Sequence, residues 1–268
     1  MGAKPLETLD GDSLSLLLEE FGHKPKVFQS EAQFQFDLAW RLQEEYDCIV
    51  KLEDLTVVID KVTIDKTLKQ KIYTDITLEK DGYIIAIELK YKTAAMTQGN
   101  DILLFNHGAS DLGRYDFLWD VNRLELLVIP SKEASEKVIA KEYAPQVSID
   151  FPKLKHCNKG FAIILTNEDD YWKTRHENCK EGVIYKQFCI GGDSKTGKGQ
   201  LYSTNLDWGK DVKTDTYTNA VAKSSRARRL QLHEAYSYQW KDYCQVPTDN
   251  GKNGLFRYMI ISITNSKI

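Results

Sequence analysis

The chain has 268 residues, 42% of them hydrophobic and 28% charged, with a formal net charge of −3. That composition fits a globular protein with one sizeable core and excludes a polycation, so any nucleic-acid contact must come from a local basic patch or from bound cations. Five widely spaced cysteines without a C-x-x-C pair argue against a disulfide framework and a structural zinc site, and predict a reducing, cytoplasmic setting.

The amino terminus lacks the basic-then-apolar pattern of a signal peptide, and Leu6 stands where a myristoylation signal needs Ser or Thr. No apolar run approaches the ~18 residues that span a bilayer, so no membrane partner is expected. Asp12 is the expected cap of a short helix through Ser13–Phe21, ended by Gly22. Ser30 and Gln33 form a capping-box pair, and Phe34, Leu38 and Leu42 make an apolar stripe, predicting a helix from Glu31 to Tyr46. Cys48–Leu52 reads as a first strand, continued or followed by Thr56–Ile59.

Lys71–Glu79 and Tyr83–Tyr91 read as two strands joined at Asp81-Gly82, a strong hairpin signal. A helix from about Gly108 to Glu125 leads into the apolar run Leu124–Ile129, which ends at Pro130. Residues 131–150 are expected to hold another helix and Phe161–Thr166 a buried strand. Residues 191–211 read as a loop or long turn, Val221–Tyr243 as helical, and Leu255–Ile263 as a closing strand. These elements predict an α/β fold with a mixed central sheet flanked by helices. The expected division is an amino-terminal helical segment, 1–29, and one α/β domain, 30–268. Its core spans about residues 30–130, and 131–268 elaborate it.

The hairpin carries the chemistry. Side chains alternate along a strand, so Glu88 and Lys90 share a face with Ala86, while Ile85, Ile87 and Leu89 point to the core. If Asp81-Gly82 form a two-residue turn, Lys80 pairs with Tyr83 and Asp75 falls opposite Glu88, Cβ atoms ~5 Å apart. Two such carboxylates repel unless a cation lies between them. Mg²⁺ and similar hard ions use one or two carboxylates together with phosphate and water. Lys90, next on that face, is placed to meet an attacking water or a phosphate.

The stretch TDITLEKDGYIIAIELKYK resembles the PD-(D/E)XK nuclease superfamily: Asp75, a hairpin, then Glu88-Leu89-Lys90. The helix opening at Ser30-Glu31 resembles the acidic helix that precedes the hairpin in that family. The similarity covers about residues 30–128. The proline that names the motif is absent, since Tyr73-Thr74 precede Asp75.

The resemblance implies a restriction-endonuclease-like fold and a nuclease hydrolysing DNA, with DNA favoured over RNA, in restriction, defence or repair. Asp75, Glu88 and the Leu89 backbone carbonyl would hold Mg²⁺ or Mn²⁺. Lys90 would position or deprotonate the nucleophile, Glu31 would serve a second metal or its water shell, and the product would carry a 5′-phosphate. Homodimers or larger defence and repair complexes are the expected assemblies. The rival reading is a nuclease-like module without catalysis that binds nucleic acid or a protein.

Further candidates flank this core. Gln35 lies one turn after Glu31 on the same helix face. Asp111 and Arg114 share a face of the helix after the hairpin and are candidates to touch a phosphate backbone. Arg226, Arg228 and Arg229 form the densest basic cluster and are candidate phosphate contacts. The aromatics Tyr236, Tyr238, Trp240 and Tyr243 are expected to pack on a late helix. Gly192–Lys198 nearly fits a P-loop but lacks the following hydroxyl residue and a helix, so a flexible loop is expected. The five histidines form no HExxH motif, and there is no GxSxG.

Overall fold

The computed structural model describes residues 2–23, 26–62, 67–98, 101–128, 148–175, 177, 179, 183, 185–203, 205–208, 230–249 and 251–264. The chain folds as α/β around a mixed sheet of seven strands. Helix α1 (Gly11–His23) and helix α2 (Glu31–Tyr46) precede strands β1 (Ile49–Val62), β2 (Thr67–Lys80) and β3 (Tyr83–Lys92). A small hairpin, β4 (Met96–Gln98) and β5 (Asp101–Leu104), leads to helix α3 (Ser110–Val128). Strands β6 (Ser148–Leu154) and β7 (Lys159–Thr166) follow. The short strands β8 (Lys198–Leu201), β9 (Asn205–Leu206), β10 (Leu230–Gln231) and β11 (Tyr236–Gln239) form two small sheets. Strands β12 (Lys241–Gln245) and β13 (Leu255–Thr264) complete the main sheet, whose order is β12-β13-β7-β3-β2-β1-β6. Among these neighbours only β3 and β7 run parallel.

The period-two pattern of the central strands divides the core. Ile85, Ile87 and Leu89 of β3 and Phe161, Ile163 and Leu165 of β7 pack under α1 and α2. Ala86 of β3 and Ala162 and Ile164 of β7 face α3, against Val121, Leu124 and Val128. In α2, Phe34, Leu38 and Leu42 are fully buried, each contributing about 2 kcal/mol of hydrophobic stabilisation.

Several expectations change. The side chain that receives the Ser13 N–H, at 2.8 Å, belongs to Asp10 rather than Asp12. The two apolar segments after α2 are one 14-residue strand, β1, interrupted by a bulge near Leu55–Val57. The described part of Val221–Tyr243 is β10, β11 and part of β12, not helix. Tyr236 and Tyr238 alternate buried with exposed Ser237 and Gln239, a strand period that overrides helix propensity. Of the helix expected over 131–150, residues 131–147 lie outside the described residues and 148–150 begin β6. The closing strand is internal, because β13 lies between β7 and β12. The P-loop-like segment forms a tight turn in which Asp193 Oδ1 accepts from the Lys195 and Thr196 N–H groups. Among the described residues no helix is long and apolar enough to cross a membrane.

Candidate metal and phosphate site

The site grows from the β2–β3 turn. Asp81 and Gly82 have φ of 50° and 80°, the left-handed pair that a two-residue hairpin requires and that Gly adopts at little cost. Lys80 pairs with Tyr83 and Ile76 with Ile87. The paired register ends at Ile76 and Ile87, and Asp75 and Glu88 are the next residue on each strand.

There the two strands part. Asp75 Oδ2 accepts the Leu89 N–H at 2.6 Å. Glu31 Oε2, at the start of α2, accepts the Tyr91 N–H at 2.7 Å. Gln35 Nε2 donates to the Asp75 carbonyl at 2.6 Å and to Glu53 Oε1 at 3.1 Å. Side chains therefore satisfy backbone groups that a continued ladder would have paired. The Ser30 cap fixes this helix end: its hydroxyl accepts the Gln33 N–H at 3.1 Å, and Gln33 Oε1 accepts the Gln29 N–H at 2.7 Å.

Glu88 and Lys90 face α3, where two residues complete a charge network. Lys90 Nζ lies 2.6 Å from Asp120 Oδ2 and donates to the Leu89 carbonyl at 3.2 Å. Arg123 lies 2.8 Å from Asp120 Oδ1 and 2.7 Å from Glu88 Oε2. The contact with Glu88 is ionic and poorly directed, and neither Glu88 oxygen has a well-formed hydrogen bond although the residue is only 1% exposed. Burial pushes Glu88 well above the usual carboxylate range, against the pull of Arg123. Burial also raises Asp75 to about 6, with Lys90 and the Leu89 N–H opposing. For Lys90, burial is outweighed by Asp120, Glu31 and Asp75, which hold it charged and above its ordinary value.

A cavity of about 480 Å³ opens on this network, lined by Glu31, Glu53, Asp75, Lys90, Asp120 and Arg123, with Lys71, Lys92, Tyr73 and Trp119 also on its wall. A groove of about 560 Å³ near β8 contains one carboxylate, Glu177, and no pair.

The predicted residues thus divide. Asp75, Glu88, Lys90, Leu89, Glu31 and Gln35 meet around the strand separation. Gln35 is buried and committed to the Asp75 carbonyl and Glu53, so it shapes the site rather than facing a substrate. Arg114 is not brought there. It is 1% exposed, donates to the Asp170 carbonyl at 2.7 Å and packs against the rings of Tyr171 and Tyr185. At about 100° per residue, Asp111 and Arg114 lie about 180° and 120° around α3 from Asp120, and neither lines the cavity. Arg226, Arg228 and Arg229 lie outside the described residues.

Asp120, Arg123 and Glu53 are additions to the site. The signal for the first two was the spacing Asp116, Asp120, Arg123, polar residues that share one face of α3. Glu53 sits in the left-handed region with φ of 49°.

Among the described residues no three His, Cys, Asp or Glu side chains form a ready metal cage. Two cations, Lys90 and Arg123, already stand among the acids. The donors nevertheless suit a hard divalent ion: a buried carboxylate lacking an aligned hydrogen bond, a second carboxylate beside it, and a backbone carbonyl. Comparisons with protein-family profiles, curated proteins and solved structures found no match to this chain.

Proposed function

We propose that the chain is a divalent-metal-dependent nuclease with a restriction-endonuclease-like core, hydrolysing DNA in preference to RNA. The observation that carries this reading is Glu88. It is an almost fully buried carboxylate with an unbonded Oε1, beside Asp75 and on one face with Lys90. Arg123 reaches its Oε2 alone, and the remaining Oε1 is the atom a metal ion or substrate would complete.

In this reading Asp75, Glu88 and the Leu89 carbonyl would hold Mg²⁺ or Mn²⁺, and Glu31 would serve a second metal or the waters around the first. The ion, when bound, supplies Lewis acidity to the phosphate and acidifies a water. Lys90, held by Asp120, orients the attacking water toward phosphorus. The bond to the 3′ oxygen breaks, leaving a 3′-hydroxyl and a 5′-phosphate. Lys71 and Lys92 on the cavity wall offset the phosphate charge, and Tyr73, 42% exposed, offers an aromatic face to a base.

The test is nicking of supercoiled DNA by the purified chain with MgCl2 or MnCl2. Activity is expected in the parent and lost in Asp75→Ala and Lys90→Ala. Equal cleavage by parent and variants sinks the assignment. One observation favours the rival, a non-catalytic binding module: Lys90 and Glu88 are already paired with Asp120 and Arg123. DNA binding without cleavage and without Mn²⁺ heat in calorimetry would select that reading.

A further inference from the structure

Arg123 touches Glu88 through one carboxylate oxygen only. Its guanidinium bridges Asp120 Oδ1 at 2.8 Å and Glu88 Oε2 at 2.7 Å. Arginine on a carboxylate frequently forms two parallel N–H···O bonds. Here the bond to Glu88 is poorly directed and Oε1 is left over. The guanidinium stays charged at any physiological pH, so it compensates a Glu88 carboxylate that is otherwise sealed from water. Asp120 holds it from the other side while also holding Lys90.

We propose that Arg123 is a resident counterion that competes with the divalent cation for Glu88. Loading the ion displaces the guanidinium from Glu88, and Asp120 retains it at the cavity, where it meets the substrate phosphate. One positive charge therefore serves both states, balancing Glu88 in the empty site and the phosphate in the loaded one. This rests on the divalent-cation reading above.

The experiment is calorimetric titration of the full chain with MnCl2, at about pH 8 to limit proton competition, comparing the parent with Arg123→Gln, Arg123→Lys and Glu88→Gln. Removing a unit charge this close predicts about tenfold or greater tightening in Arg123→Gln. Arg123→Lys is expected to fall between it and the parent, because an ammonium cannot bridge two carboxylates in the guanidinium's geometry. It also carries the test if the Gln variant does not fold. Glu88→Gln is expected to lose binding. Structural damage alone would weaken binding, so tightening is specific to competition. If the parent binds Mn²⁺ and both Arg123 variants bind equally or more weakly, the inference falls and the nuclease reading stands. If no protein binds Mn²⁺, both fall.

Discussion

Asp75 is under two opposing demands. The proposed cation binding needs it ionised, while burial raises it to about 6. The unfolded value is about 4, so the folded state binds the proton more tightly. The apo protein should therefore lose stability as pH rises from about 4 through 6, by about 1–2 kcal/mol from this group after allowance for its partial exposure. Asp75→Asn should flatten that part of the stability–pH profile and melt higher than the parent near pH 7, yet neither bind Mn²⁺ nor cut. Parent and variant melting curves with the same pH slope would contradict this. Mn²⁺ affinity of the parent should in turn fall below about pH 6, as protons compete for the carboxylate.

At the scale of elements, the N-terminus of α2 and the β2–β3 turn hold the site. Ser30 caps the helix that delivers Glu31 to the Tyr91 N–H. Ser30→Ala should cost about 1 kcal/mol, a few degrees in melting temperature. Cleavage should fall by more than the folded fraction does, because Glu31 loses its fixed position; paired melting and rate measurements would show activity merely tracking folding if that is wrong. Both devices were legible in the sequence because their chemistry is local: Ser30 to Gln33, Asp81 to Gly82. The roles of Asp120 and Arg123 were not, since their partners Lys90 and Glu88 are remote in the chain and only the packing of α3 on β3 unites them. Arg114 and Asp111 misled for a related reason. Spacing shows which residues share a helix face, not which face turns to the sheet. The late aromatics were misread because Tyr236, Tyr238 and Trp240 alternate over too short a run to outweigh the helical character of the residues around them.

Across the whole molecule, remote segments lock together by close approach. A Cβ on Gly22 of α1 would stand 2.0 Å from the Tyr243 carbonyl oxygen of β12, a backbone atom that cannot swing away. Gly22→Ala should therefore destabilise by about 1–3 kcal/mol, seen as a lower denaturant midpoint. An unchanged midpoint would mean that α1 does not rest on β12 as described. Helix α1 thus belongs to the packing of the sheet, through contacts that no local pattern announces.

The parallel pairing of β3 with β7 sets an order of events during synthesis. β3 meets β2 across a two-residue turn, but its other neighbour follows only after α3 and β6, and β13 must then cover β7. Such non-local pairing is slow and late. A chain still on the ribosome therefore holds Asp75, Glu88 and Lys90 on a ribbon with one open edge, without the support that sets their spacing. For the proposed nuclease the cutting centre therefore gains its full support only after the carboxyl-terminal strands have been made and paired.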